Sequence, residues 1–400
     1  MGAGHVAFLG TPGTVHRADT FSLTELLEIL GANSGNLIFQ YAAQLLIGGQ
    51  HIHIGRSETA YSETAALRGC DALVFPAANH LRANADWSGL NSYLERCGLP
   101  LVVLGLGAQL PKQAQPEARK AILQNPHVRR LADILRERAP LITVRGAQSA
   151  ELCFDLGLDV VTLGCPSGLI NPDPQLGRSI NSQIKRIAEA TTTPSFALAA
   201  AAPFEIRDEA GLVDVERKLI TWLGQYSGIY VQQSGGAVSL RMANGRWFDL
   251  APTARKSFET ILWQGDAVEF WALIARAGRV FTSTPDWISE MEGLDFSIGT
   301  RLHGNMAAIA AGRPAVLISH DGRTGELAKT MHLPHLSIKD LTSAATPQAA
   351  LSKVAFDPAA FDKWRQKTAQ TLCSHLARVG LVPSAHLAAL AAPFPREDAA

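Results

Sequence analysis

Short apolar runs alternate with helix-length segments along nearly all of this chain, and that alternation limits what it can fold into. His5 to Leu9, Ala72 to Phe75, Leu101 to Leu104, Leu141 to Val144 and Val160 to Leu163 are brief and rich in Val, Leu and Ile, and several end in Gly or a polar residue. Such runs are predicted to be strands of a parallel sheet buried on both faces. Between them, Asn36 to Leu46, Pro116 to Arg138 and Ala147 to Leu156 have helical spacing. The first part of the chain therefore reads as a doubly wound α/β unit.

The pattern stops around Ser167 to Gly177, where Pro166, Pro172 and Pro174 interrupt a stretch with Gly and Asn, as expected of a link between domains. It restarts with strand-like runs at Phe196 to Ala200, Ile229 to Gln232, Val280 to Thr282, Phe296 to Ile298 and Ala315 to Ile318. Asp266 to Ala277, Asn305 to Ala311 and Gly325 to Met331 are the helical segments among them. The expected fold class is α/β, with two Rossmann-like domains facing a cleft. The first domain takes residues 1–175 and the second 176–355. Within 356–400, a long helix from Pro358 to Arg378 is expected to cross back to the first domain, followed by a loose tail. Ligands in such sheets bind outside the carboxyl ends of the strands, so chemistry is sought at strand ends in both halves.

Composition narrows the function classes. Lys plus Arg and Asp plus Glu are balanced at 36 each, so no global field marks a nucleic-acid binder and no nucleic-acid partner is expected. Cys70, Cys97, Cys153, Cys165 and Cys373 are scattered without metal spacing and read as reduced thiols in the core, so no metal is expected. The first ten residues lack the basic and long apolar regions of a signal peptide, and no apolar run reaches the length of a membrane span. A cytoplasmic protein is expected. The sequence leaves a homo-oligomer open.

The segment Phe296 to Leu333 carries the most chemistry. A strand ends at Ile298, Gly299-Thr300-Arg301-Leu302-His303-Gly304 forms a polar turn, and an Ala-rich helix follows from Asn305. A strand end meeting a helix start suits an anion. The next strand ends in a second polar turn, with His320 and Arg323; if the two strands are neighbours, these lie beside Arg301 and His303. Two arginines with a histidine fit a small, multiply charged acid, because Arg grips carboxylate or phosphate with parallel hydrogen bonds. The plainer alternative is that Arg301 pairs with a structural carboxylate and His303 satisfies a helix end. Thr300 and Asn305 flank the pair and are assigned to the same anion site.

Three further loops follow strands or precede helices. Gly31 to Asn36 places Asn33 and Asn36 before an amphipathic helix, with Asn36 a candidate N-cap. Arg145 ends a strand expected near the middle of the first sheet, where it either enters the cleft or pairs locally. Gln109 follows a glycine-rich strand end that lacks the full dinucleotide fingerprint, and it is a candidate sugar contact. Gln232, Gln233 and Ser234 read as a turn with Gly235-Gly236, and Trp263, Phe270 and Trp271 as helix packing.

Three segments together, GANSGN, TVRGAQSAELCFDLGLDVVTLGCPS and FSIGTRLHGNMAAIAAGRPAVLISHDGRTGELA, resemble the polysaccharide pyruvyl transferase family. The resemblance spans most of residues 31 to 335 in the same order. It implies a fold like the two-domain glycosyltransferases of the GT-B type. It also implies phosphoenolpyruvate as donor substrate, no cofactor, and a pyruvate ketal formed on a saccharide of a capsule, exopolysaccharide or cell wall. His303 is then the general acid and Arg301 holds the donor. Arg323 stands where the family often has Lys. Asn33 and Asn36 stand where it commonly has acidic residues, which leaves the general base unassigned. The acceptor is expected near Asn33, Asn36, Arg145 and Gln109. A lipid-linked acceptor would bring the chain into peripheral contact with the inner face of a membrane. The competing readings are a GT-B glycosyltransferase that binds a nucleotide-sugar diphosphate with Arg301 and Arg323, and a non-catalytic saccharide-binding protein of the same fold.

Overall fold

The structure is a computed structural model and describes residues 4–55, 64–110, 115–320 and 322–393. The side chain of Arg323 and the expected loose tail from residue 394 lie outside the described residues.

The apolar runs form two parallel sheets of six strands each. The first contains β1 (His5–Leu9), β2 (Gln50–Ile54), β3 (Ala72–Pro76), β4 (Leu101–Leu106), β5 (Leu141–Val144) and β6 (Val161–Thr162), in the order β2-β1-β3-β4-β5-β6. The second contains β7 (Phe196–Ala199), β8 (Gly228–Val231), β9 (Gly278–Arg279), β10 (Phe296–Gly299), β11 (Ala315–Ser319) and β12 (His335–Ser337), in the order β12-β11-β10-β7-β8-β9. β3 and β4 are buried along their whole length, which is why they read as continuous apolar runs. In each sheet the chain starts inside and winds first to one side, then to the other. That reversal leaves a crevice at the carboxyl ends of β1 and β3 in one sheet and of β7 and β10 in the other.

The structure departs from the sequence reading in several places. The stretch from Pro116 to Arg138 is two helices, Gln115–Gln124 and Pro126–Arg138. Asn125 separates them, and its side-chain oxygen accepts from the amides of His127 and Val128 at 2.8 and 3.1 Å, while Pro126 takes the first helical position. Val280 to Thr282 is not a strand. The second sheet ends at β9, because Thr282 turns its carbonyl to the amide of Val15 at 2.8 Å and Ser283 bridges Thr14 in the first half. The Ala-rich helix starts at Leu302 rather than Asn305, so Arg301 is the residue that enters it and His303 lies in its first turn. Gly304 is not a break there. A Cβ on it would lie 2.8 Å from the Cβ of Ala199, so glycine is what lets this helix press against β7.

The helix Pro358–Arg378 runs from one sheet to the other. Phe361 belongs to the core of the second sheet, whereas Ala369, Leu372 and Leu376 pack on Val6, Val74, Val102 and Leu104 of the first, beside Leu387 and Leu390 of the following helix Ala385–Ala391. Near the crossing point Arg365 is almost fully buried, and its guanidinium donates to the carbonyls of Gly168, Asn171 and Asp173 in the proline-interrupted segment. Replacing Arg365 by Met leaves those acceptors without donors, and we expect a loss of about 3 kcal/mol, read as a lower urea midpoint. An unchanged midpoint would mean that Arg365 does not hold this segment. Among the described residues no helix is long and apolar enough to cross a membrane.

Candidate functional site

A cavity of about 870 Å³ lies where both crevices meet. From the first half it is lined by the ends of β1 and β3 and the loops that follow, including Asn33, Asn36, Asn79, His80, Arg82, Trp87 and Gln109. From the second half come Glu205, Ser234 and Arg301. Four of the residues picked out by sequence, Asn33, Asn36, Gln109 and Arg301, thus share one space.

Arg301 lies two residues past the end of β10, and its guanidinium donates to Glu205 Oε2 at 2.7 Å, with the arginine side chain 17% exposed and the glutamate 56%. Both plain and functional readings of Arg301 are therefore visible: it has a carboxylate partner, and it faces the cavity. Exposure of Glu205 keeps the pair weak and open to competition by a ligand oxyanion. Beneath it Glu216 is fully buried; its Oε1 accepts from the amide of Ala201 at 2.9 Å and its Oε2 has no hydrogen-bond partner. Burial pushes this carboxyl up to about 7, against the pull of the Ala201 amide and of Arg301. The folded pKa exceeds the ordinary value of 4.5, so the stability tied to it is fully present below pH 4.5 and is lost as pH rises through about 7. We expect Glu216→Gln to remove about 3 kcal/mol of this pH dependence, measured by urea unfolding from pH 5 to 8. An identical slope in the variant would contradict the assignment.

His303 lies at the seam between the halves. Its imidazole is 9% exposed, its ring centroid is 5.2 Å from Phe39 of the helix Asn36–Leu46, and its Nε2 is 3.6 Å from Cys165 Sγ. Arg301 reaches the cavity wall and His303 does not. The loop before the helix covers it: the amide of Ser34 donates to the Gln233 carbonyl at 2.9 Å, and a Cβ on Gly35 would stand 3.0 Å from the Cβ of His303 and 2.7 Å from Gln233 Oε1. Only glycine allows this approach. Along the same seam the hydroxyls of Ser34, Ser234 and Thr300, with Gln233 Oε1, are buried without a hydrogen-bond partner. Buried polar atoms are nearly always satisfied, so this cluster suits a polar ligand.

The other expected residues fall into place around these. Asn36 is the first residue of its helix rather than the N-cap, and its amide nitrogen donates to the carbonyls of Leu30 and Gly31 at 2.8 and 3.2 Å. Asn33 accepts from the Gly35 amide at 2.8 Å and shapes the loop. Asn305 is buried and committed to Ser297, Gly299 and Arg301, so it braces the turn from Gly299 to His303. Arg145 is also buried, donating to Gly105 O at 2.9 Å, Asn79 Oδ1 at 3.2 Å and Ala77 O at 3.4 Å; it braces the floor of the cavity from behind. His320 follows β11, which is indeed the neighbour of β10, yet it lies outside the cavity lining, with Nδ1 3.3 Å from the Ile318 carbonyl. Glu326 accepts from the amide and hydroxyl of Ser149 at 2.9 and 3.2 Å and ties the two halves together beside the seam.

Sequence reasoning missed Asn79, His80, Arg82 and Trp87, although the polar run after Phe75 was a strand end of the kind sought elsewhere. It also missed Glu205, Glu216 and the seat of Cys165 beside His303, for which the local sequence carries no signal.

The profile of the polysaccharide pyruvyl transferase family matches residues 17–235 and 253–322. The chain belongs to the polysaccharide pyruvyl transferase family. Its matched region includes the cavity loops, the seam and the Arg301–His303 turn. No curated protein matched the sequence. Among solved structures, S. aureus MnaA bound to UDP is similar at 10% identity, with 96% of this chain and 99% of that one covered and a TM-score of 0.43. Anabaena HepE in complex with UDP is similar at 12% identity, with 93% and 100% covered and a TM-score of 0.37. Phytolacca americana UGT2 with UDP-2fluoro-glucose and pterostilbene is similar at 9% identity, with 94% and 100% covered and a TM-score of 0.39.

Proposed function

We propose that this member of the family transfers the pyruvyl group of phosphoenolpyruvate to two hydroxyls of one saccharide, forming a ketal and releasing phosphate. The observation that carries the reading is Arg301, held on a strand end at a cavity shared by both halves, next to buried hydroxyls that lack partners. Phosphoenolpyruvate bears a carboxylate and a phosphate, and Arg301, the Thr300, Ser34 and Ser234 hydroxyls and the start of the helix Leu302–Ala310 would receive their oxygens. Arg301 would exchange exposed Glu205 for the donor. Arg323 would add a second charge.

The donor then parts the contacts of Ser34 and Gly35 with the second half and meets the imidazole of His303. Protonated His303 gives its proton to the methylene carbon, and positive charge develops at the neighbouring carbon. One sugar hydroxyl adds there. The bond to the phosphate oxygen breaks, phosphate leaves, and the second hydroxyl closes the ring. Of the two hydroxyl protons released, one restores the imidazolium and the other leaves with phosphate. Asn33, Asn36 and Gln109 line the side on which the acceptor would lie, on a floor braced by Arg145. The test is product release: phosphate appears with phosphoenolpyruvate and a saccharide, and nucleotide does not appear with nucleotide sugars. Nucleotide release alone would replace this reading with glycosyl transfer.

A further inference from the structure

We propose that Arg82, stacked on Trp87 in the wall of the cavity, binds an oxyanion carried by the acceptor saccharide, either a phosphate ester or a carboxylate, so that the chain selects a charged acceptor. This rests on the pyruvyl-transfer reading for the word acceptor, but the site stands on its own geometry.

The segment after β3 is built rather than loose. The Gly107 amide donates to Ala78 O at 2.9 Å, the Leu81 amide to Gly107 O at 3.2 Å and the Gln109 amide to Leu81 O at 2.9 Å, which extends the β3–β4 pairing beyond the sheet. Asn125 Nδ2 holds the carbonyls of Ala83 and Ala85 at 2.8 and 3.0 Å, and Trp87 Nε1 donates to His80 O at 2.9 Å. On this frame the Arg82 guanidinium carbon lies 4.6 Å from the Trp87 ring centroid. Stacking fixes the plane of the fork while leaving its edge for hydrogen bonds.

Among the described residues no acidic group neutralises this cation. Its buried Nε has no hydrogen-bond partner, and among the described residues no carboxylate pairs with it. Burial alone lowers its pKa, with no acidic neighbour opposing. The acidic groups that share the cavity are engaged elsewhere or add no pull on Arg82: Glu205 holds Arg301, Asp86 accepts from the Ser88 amide at 3.0 Å and lies 3.6 Å from His127 Nδ1, and Glu28, in the helix Leu23–Ile29, does not shift the guanidinium. Arg301 thus has a carboxylate to displace and Arg82 has none. A half-buried, oriented guanidinium with no counter-ion among the described residues, lining a cavity that Gln109 and Asn33 also line, fits a sugar whose ring is hydrogen-bonded and whose charged group meets the fork.

The experiment is titration calorimetry of the full chain with methyl glucoside, methyl glucuronide and glucose 1-phosphate, in the absence of phosphoenolpyruvate. At least one charged sugar should bind about 10-fold or more tightly than the neutral one, and Arg82→Gln should bring it to the neutral level. Arg82→Lys should retain part of the preference, and an unchanged melting midpoint of both variants shows that they fold. Preference for the glucuronide assigns a carboxylate; preference for the sugar phosphate assigns a phosphate ester. Equal or absent binding of all three, or a preference that survives Arg82→Gln, overturns the proposal. Failure of the pyruvyl-transfer reading would leave this titration intact. Ketal formation on a neutral sugar with kcat/KM unchanged in Arg82→Gln would overturn the anion site and leave that reading standing.

Discussion

His303→Gln should lower kcat by about 10³-fold while leaving phosphoenolpyruvate binding within a few-fold of the native chain. Glutamine is close to histidine in size and keeps a polar end near Cys165 Sγ, which lies 3.6 Å from the imidazole in the native protein. The wall formed with Phe39 is therefore kept, and stability should change little. What is lost is a group able to deliver a proton to carbon and take one back from a hydroxyl. A glutamine amide does neither at neutral pH. Stopped turnover with retained donor binding separates the acid role from a packing role, because a packing defect would lower the melting midpoint and donor affinity together. Normal turnover in this variant would move the acid to another residue, with His80 of the cavity wall the first to test.

Arg301→Leu should reduce kcat/KM for phosphoenolpyruvate by about 10²- to 10³-fold, mainly through KM. Arg301 is the described cation that the second half presents to the cavity, and its fork matches a carboxylate or phosphate edge. Its partner Glu205 is more than half exposed, so losing the ion pair costs the fold little. Buried Glu216 loses the one charge that favours its ionised form, and its carboxyl stays protonated. Arg301→Lys keeps the charge without the fork and should recover only part of the loss. The readout is initial phosphate release over a range of donor concentrations. A leucine variant with native KM and kcat would show that Arg301 serves Glu205 alone.

Where the sequence made the fold legible, the reason is burial on both faces. β3, β4 and β7 are buried throughout and hold no polar residue, so short strings of Ala, Val, Leu and Phe mark them plainly. The edge strands β2 and β12 were hidden by the same logic. β2 is Gln50–Ile54 with only its last residue buried, and its alternating histidines resemble no core strand. β12 is three residues long. The turn that carries Arg301 and His303 was legible because both residues are local to one strand end. Its helix start was misplaced because Gly304 looks like a breaker until Ala199 is seen against it. Arg145 announced itself as a charge at a strand end, yet the sequence offers no sign that it turns back to hold Gly105 and Ala77. Glu216 under Arg301 and Cys165 beside His303 come from distant segments, and only the folded chain brings them together.

The most direct test is the reaction run in deuterated water with phosphoenolpyruvate and a saccharide acceptor, followed by NMR of the saccharide product. Protonation of the methylene carbon from His303 predicts a pyruvate ketal whose methyl group carries one deuterium, formed together with free phosphate. A saccharide that keeps the vinyl methylene, or one that gains no pyruvyl group while phosphoenolpyruvate stays intact, would contradict the account.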